Sequence, residues 1–547
     1  MRATCKKAWR AIAAVAVAAL LWEAPVMAQT ASAGGERLGE VHFPISCSAA
    51  SQQAFDRATA MLHNFMYPRT VAAYSAITAA EPGCAMAYWG IAISERPNPL
   101  AGPFPESNLQ KGWEAIEKAR AAKTKTQRES DWIEAMATFY QDYTTVDQKT
   151  RSANYESAME RLHARYPDDT EAAIFYALAL DENVDLHDKT YAKQLKAGAI
   201  LEQLMPRLPN HPGIPHYIIH SYDYRPLAER ALPAAVRYAE LAPSSPHALH
   251  VPSHIFSMLG MWPDVVSADT AADHELVREA EAENPKVKPA AIAGRYHSLD
   301  FLENAYLQMA QDKKAKEIVD IRNSVPRLDP EARYRAHTAF AAIPVRYALE
   351  RGDWTAAAKL DVPETPYPQA EALAWFGRAL GAAQIGDLEG AKLDEAQLVR
   401  LKGRLVAAKD SYWAGQVEIE ARASLAWINL LSDHKAEAIH MMENAADLED
   451  ASENHIAMEN RLVPMRELLG ELLLKAKEPA KALRQFEMSL AAAPNRYRSL
   501  AGAAKAAEAL GDRKHARAYY QKLLAVCSSA DTERPDLVAA RSFLAKN

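Results

Sequence analysis

Self-similarity at a fixed spacing is the feature that most limits how this 547-residue chain can fold. Near the C-terminus, Ala482 and Phe486 recur in kind as Ala516 and Tyr520. The two pairs share one period, of about 34 residues, which is typical of stacked supersecondary units. No such unit buries its apolar face alone. The period therefore predicts an elongated array of repeats.

The repeated unit is predicted to be helical. Pro209 and Pro243 are separated by the same period, and each follows an amphipathic helix pattern, at 195–205 and at 228–241. Glycine is sparse, with 21 residues, and only 8% of the residues are aromatic, a balance that favours close-packed helices over sheets. The predicted fold class is all-α.

Small residues at fixed positions suggest how two helices pair within one unit. Gly470 lies in one predicted helix, and Gly511 marks a later turn between helices. Together with the alanines above and a proline that closes the second helix, this pattern resembles the tetratricopeptide repeat. The resemblance implies a solenoid of helical hairpins that winds into a right-handed superhelix.

The pattern divides the chain into four segments. We expect a signal peptide at 1–28, an N-terminal strap at 29–49, an N-terminal part of the solenoid at 50–360 and a C-terminal part at 361–547. Proline-rich stretches at 95–105, 279–290 and 361–368 are predicted loops that interrupt one continuous array; the alternative is two sub-solenoids that meet near residue 361.

The N-terminus has the composition of a secretory signal. Four basic residues precede a short apolar stretch at 11–22, and cleavage is predicted after Ala28. This predicts a periplasmic or secreted protein. Removing 1–28, which holds four basic residues and Glu23, changes the formal net charge from −7 to −7 − 3 = −10. We therefore expect no nucleic-acid partner, and no later segment is apolar for long enough to predict a membrane span.

Two of the four cysteines are candidates for a disulfide. Cys5 leaves with the signal and Cys527 stands alone near the C-terminus, so Cys47 and Cys84 remain. In an oxidising compartment these two could tie the strap to the first repeat. The alternative is two free thiols.

The repeat register also reveals a histidine constellation. His216 and His220 recur one period later as His250 and His254. Residues four apart share one face of a helix, and in the tetratricopeptide register both pairs fall on the first helix of the unit, facing the concave groove. Pro252 lies between His250 and His254, so a helix that begins there would separate the second pair.

Further polar residues fall near the same groove. His247 lies one turn before His250, and Asp300 and Asn304 occupy the two corresponding positions in the next unit. All seven residues are candidate ligand-binding residues: His216, His220, His247, His250, His254, Asp300 and Asn304.

Three interpretations of these histidines stay open at this point. They could be structural, hydrogen-bonding across the helix stack, or they could contact a peptide, protein or small-molecule ligand. They could also bind a transition metal, because imidazoles from neighbouring helices can converge on Zn, Cu or Fe. The candidate metal ligands are His216, His220, His250 and His254, with Asp300 or His247 as a further ligand or base.

The common catalytic motifs do not occur in the sequence, so no reaction is predicted and no catalytic residue is assigned. The strings HYIIH and HALHVPSHIF, with AMAYWGIAIS upstream, look like a subgroup of exported bacterial tetratricopeptide-repeat proteins. We expect an exported repeat protein that binds a peptide, protein or small ligand in its groove; the alternative is a metal-binding protein or metal-dependent enzyme.

Overall fold

The computed structural model describes residues 35–123, 126–453 and 461–546. Residues Arg37–Asn547 form one compact unit. The predicted signal peptide at 1–28, its cleavage point after Ala28 and residues 29–34 of the predicted strap lie outside the described residues.

The described residues form helices and no strands, which confirms the predicted all-α class. The first half holds α1 (Ala49–His63), α2 (Tyr67–Ala80), α3 (Ala85–Ser94), α4 (Glu106–Ala121), α5 (Gln127–Tyr140), α6 (Gln148–Arg165), α7 (Thr170–Glu182), α8 (Ala192–Leu204), α9 (Gly213–Ser221), α10 (Ala228–Leu241), α11 (Pro246–His250), α12 (Pro252–Met258) and α13 (Trp262–Glu283). The second half holds α14 (Arg295–Gln308), α15 (Asp312–Asn323), α16 (Tyr334–Glu350), α17 (Trp354–Ala357), α18 (Pro368–Ile385), α19 (Leu388–Ala407), α20 (Ser411–Leu431), α21 (Lys435–Asp450), α22 (Met465–Lys475), α23 (Pro479–Ala492), α24 (Tyr497–Ala509), α25 (Arg513–Val526) and α26 (Pro535–Ala545). Short 3₁₀ turns occur at Pro99–Ala101 and Pro289–Ala291.

Consecutive helices pack against each other along the chain, as a solenoid of helical hairpins requires. Phe486 of α23 shows how the repeat works, because its ring lies between Gly470 of α22 and Gly502 of α24. A Cβ at Gly502 would meet that ring at 2.3 Å, so only glycine lets the helices approach this closely. Ala482 and Phe486 are fully buried, as their recurrence predicts.

The C-terminal helices pack back onto the middle of the array. The Trp262 indole N–H at the start of α13 donates to the carbonyl of Asn495, at 2.9 Å. The Asn495 side chain in turn donates to the carbonyl of Gly260, at 3.0 Å. Contacts between segments that are distant in the sequence therefore brace the helices that carry the histidines.

A disulfide between Cys47 and Cys84 confirms the predicted link between the strap and the first repeat. The segment before α1 is irregular, and its Phe43 is fully buried against Phe55, Trp89 and Trp132. Earlier in this segment, the Glu40 amide donates to the carbonyl of Asn210, just before α9. Among the described residues, no helix has both the length and the apolar character needed to cross a bilayer.

Candidate metal centres

Three neighbouring segments of helix carry the histidines. His216 and His220 lie on α9, His247 and His250 on α11, and His254 on α12. Val251, between α11 and α12, keeps helical backbone angles (φ −55°, ψ −32°). The predicted break at Pro252 therefore does not separate His250 from His254, whose Nε2 atoms are 3.1 Å apart.

The first cluster, cluster 1, consists of His216, His220 and His247. Nε2 of His216 lies 2.9 Å from Nε2 of His247 and 3.1 Å from Nε2 of His220. His216 and His220 are buried and His247 is half-buried. Three imidazole nitrogens, two from α9 and one from α11, thus converge.

The second cluster, cluster 2, consists of His250, His254 and His297, which lies on α14. All three are buried, and one nitrogen from each lies within 4.8 Å of the others. The rings of His220 and His254 are 6.2 Å apart between centroids, so the two clusters are neighbours.

The other ring nitrogen of three histidines is fixed by a hydrogen bond. Nδ1 of His216 donates to the backbone carbonyl of His63 at 2.6 Å. Nδ1 of His250 and of His254 face the carboxylates of Asp269 and Asp223, at 2.6 and 2.7 Å. A carbonyl or an ionised carboxylate at Nδ1 fixes the tautomer in which Nε2 carries a lone pair, and histidines that bind metals characteristically have such partners.

Burial disfavours protonation of these rings. It lowers the pKa of His216, His247, His250 and His297 well below 6.5, with further lowering by neighbouring positive charge. Burial also lowers the pKa of His220 to about 3. Burial thus favours the uncharged form of these five imidazoles, which is the protonation state that binds a metal.

Burial raises the pKa of Asp269 well above its usual value. In the metal-free protein the pair of Asp269 and His250 is therefore favoured as a neutral pair. A cation at Nε2 of His250 would stabilise the ionised carboxylate instead, because the two charges attract across the ring.

An aromatic ring closes one side of each cluster. Phe65 stacks on His220 and His247, with centroid distances of 6.0 and 5.1 Å. Phe301 of α14 stacks on His254 at 5.1 Å, and its edge contacts His250. These walls limit access of water to the imidazoles and hold their rings in place.

Asp300 and Asn304 occupy the positions on α14 that the sequence predicts, but they lie outside both clusters. The Asp300 carboxylate accepts two hydrogen bonds from the Arg346 guanidinium, at 2.9 and 3.1 Å. The Asn304 carbonyl oxygen accepts one from Gln308 at 3.1 Å. Asp300 is thus held by a cation of the protein itself.

A third group, His63, Glu171 and His211, lies next to cluster 1. The Glu171 carboxylate faces Nε2 of His63 at 3.0 Å and Nε2 of His211 at 2.8 Å, and Nδ1 of His63 meets the Tyr217 hydroxyl at 3.0 Å. Hydrogen bonds within the protein account for this geometry, so we assign the group a structural role. It positions the His63 carbonyl that holds His216.

Two cavities flank the clusters. The larger, of about 720 Å³, has His247, His250 and His297 in its lining and is called the floor cavity below. The second, of about 400 Å³, is lined by Asp223, His254 and Asn304, among others. Both clusters therefore border space that a small ligand could enter.

Comparison with known proteins adds little to this picture. No protein-family model matches the chain, and no curated protein matches its sequence. Among solved structures, the chain is similar to one described as the crystal structure of APC/C hetero-tetramer Cut9-Hcn1. The identity is 10% and the TM-score 0.28, covering 91% of this chain and 96% of that one. The fold assignment rests on the helices of this chain itself.

Sequence reasoning missed two kinds of residue in the clusters. His297 was not among the candidates, although it precedes Asp300 by three positions as His247 precedes His250. The residues that hold the rings, Asp269 and Phe65, have no sequence signal, because they come from elements outside the repeated pair.

Proposed function

We propose that this chain is an exported helical-repeat protein that binds one transition-metal ion in each of the two histidine clusters. The observation that carries the proposal is the convergence of three imidazole nitrogens in each cluster. In addition, Nδ1 of His216, His250 and His254 is hydrogen-bonded to a carbonyl or carboxylate oxygen. One potential ligand nitrogen of each histidine lies within 4.8 Å of the others in its cluster, so a single cation could accept a lone pair from all three.

The donor set indicates which metals fit. Three neutral imidazoles suit zinc, copper, nickel or iron and do not suit the oxygen-preferring magnesium or calcium. Three protein ligands also leave a coordination position open, as in catalytic rather than structural zinc sites. The proposed centres are therefore able to take an outside ligand.

Export is part of the proposal. It is supported by the basic and apolar N-terminal sequence and by the disulfide between Cys47 and Cys84, since disulfides persist mainly in oxidising compartments.

The rival explanation is a metal-free hydrogen-bonded network. A proton shared with Asp269 would let Nε2–H of His250 donate to Nε2 of His254, at the observed 3.1 Å. This network needs no ion and predicts a protein that stays metal-free.

A second candidate function is binding of a peptide, protein or small ligand. Helical solenoids present extended concave surfaces that suit such partners. The floor cavity favours a small ligand, because its volume of about 720 Å³ falls in the range of small-molecule sites.

Elemental analysis of protein purified without chelators and then equilibrated with Zn²⁺ separates these explanations. We expect two ions per chain, one ion in His216→Ala, one in His250→Ala, and none in the double variant. His337→Ala is the matched control, because His337 is also buried but bonds to the Asp329 carbonyl and Thr365. Circular dichroism shows that each variant is folded. Wild-type protein that stays metal-free after equilibration would refute the proposal in favour of the network.

A further inference from the structure

The floor cavity borders both clusters at once. His247 belongs to cluster 1, whereas His250 and His297 belong to cluster 2, and all three contribute to its lining. One molecule in this cavity could therefore reach both proposed metal centres. The lining also includes the apolar or aromatic side chains of Phe65, Tyr67 and Leu276, which would suit a ligand that has a hydrocarbon portion.

A guanidinium lies beside the histidines in the same cavity. Arg335, at the start of α16, is half-buried and lines the floor cavity. His247, His250 and His297 line the same cavity, so Arg335 and both clusters border one space. Arginine presents several donors in a planar fork that matches carboxylate and phosphate oxygens.

The charges around the cavity favour an anion. The lining itself is balanced, with three arginines (Arg69, Arg333 and Arg335) and three glutamates (Glu95, Glu279 and Glu283). Two divalent ions at the clusters would add positive charge, opposed only in part by the carboxylates of Asp223 and Asp269 behind the rings. Two of these glutamates have partners within the lining: Glu279 pairs with Arg69, and Glu95 accepts a hydrogen bond from Asn108. Glu283, also in the lining, is exposed. The centre of the cavity would thus keep an excess of positive charge.

We propose that the floor cavity binds a small organic oxyanion, a carboxylate or a phosphate, between the metal centres and Arg335. This inference rests on the proposed function. One oxygen of the anion would take an open coordination position of a metal ion, and the other would accept hydrogen bonds from Arg335. No reaction is implied by this binding mode.

Cobalt provides the test, because the visible spectrum of protein-bound Co²⁺ reports changes in its ligands. Protein loaded with Co²⁺ is titrated with acetate, with inorganic phosphate and with acetamide, the neutral analogue of acetate. We expect saturable spectral changes with at least one anion and none with acetamide; whichever anion binds more tightly identifies the oxyanion class.

Variants test the role of Arg335. We expect Arg335→Gln to weaken anion binding by roughly 10- to 100-fold, the range of a lost charge-assisted hydrogen bond, while two Co²⁺ ions per chain remain bound. Arg327→Gln is the matched control, since Arg327 is an exposed arginine that pairs with Glu364 outside the cavity.

The outcomes separate the two proposals. Two bound Co²⁺ ions whose spectrum responds to no anion, or an Arg335→Gln variant that binds as tightly as wild type, would overturn the anion proposal alone. Failure to bind Co²⁺ at all would overturn the proposed function, and the anion proposal with it.

Discussion

The carboxylate behind His250 allows a sharp test of the proposed metal centres. Asp269 is fully buried, and its Oδ1 lies 2.6 Å from Nδ1 of His250. The substitution Asp269→Asn keeps the shape of the side chain and its oxygen acceptor but removes the negative charge. Loss of a carboxylate that is hydrogen-bonded to a metal-binding histidine typically lowers metal affinity 10- to 100-fold, which corresponds to about 1.4–2.7 kcal/mol of binding free energy.

The effect should be confined to one ion of the two. His250 belongs to cluster 2, whereas His216 of cluster 1 is held by the backbone carbonyl of His63, which the substitution leaves in place. Cluster 1 is therefore an internal reference. Titration with Zn²⁺ in competition with a coloured chelator of known affinity should show two comparable sites in wild type, and in Asp269→Asn one unchanged site and one weakened site.

Asp181→Asn is the matched control for this experiment. Asp181 is also buried, but its carboxylate accepts a hydrogen bond from Ser221 rather than from a histidine. We expect Asp181→Asn to bind both ions as wild type does. Equal weakening of both sites in Asp269→Asn, or the same loss in Asp181→Asn, would show that general destabilisation rather than support of His250 sets the affinity.

Two further predictions concern stability. Replacing both Cys47 and Cys84 by serine should lower the free energy of unfolding of the N-terminal region by about 3–4 kcal/mol, because the disulfide closes a loop across a sequence separation of 37; an unchanged denaturation midpoint would contradict this. Burial, with Glu449 nearby, raises the pKa of Glu420 to about 8, so the folded state holds a proton that the unfolded state releases, and this group lowers stability as pH rises from about 4.5 to 8. In denaturant titrations, the free energy of unfolding of Glu420→Gln relative to that of wild type should therefore increase by about 3 kcal/mol between pH 5 and pH 8. An equal difference at both pH values would refute the raised pKa of Glu420.

The fold was largely predictable because its determinants are local and periodic. Helix pairs at a fixed interval, and the small residues between them, can be recognised in the sequence, as the packing of Phe486 between Gly470 and Gly502 shows. The contacts that fold the C-terminal helices back onto the middle have no such signature. Trp262 and Asn495 are 233 residues apart, and nothing in either segment specifies the other.

The histidine clusters were predictable only in part, because the period identifies only the residues that recur with it. His216, His220, His250 and His254 follow the period, and the structure brings them into two neighbouring clusters. His297 was missed although the sequence register already placed Asp300 at the position of His250; the same register places His297 at the position of His247. Asp223 and Asp269 support the rings from outside the repeated positions, so periodicity does not predict them.

The positions that hold clustered histidines in one repeat hold other residue types in the next. Asp300 is the counterpart of His250 in the unit that holds His297. It is a carboxylate rather than an imidazole, and it pairs with the permanently charged guanidinium of Arg346. One period before His247 is Gly213, where an added Cβ would lie 2.5 Å from Nδ1 of His63. The absence of a side chain at Gly213 thus admits His63, whose carbonyl holds His216. The series of histidines is therefore limited to two clusters, because the next position on one side is Asp300, paired with Arg346, and the next position on the other side is Gly213.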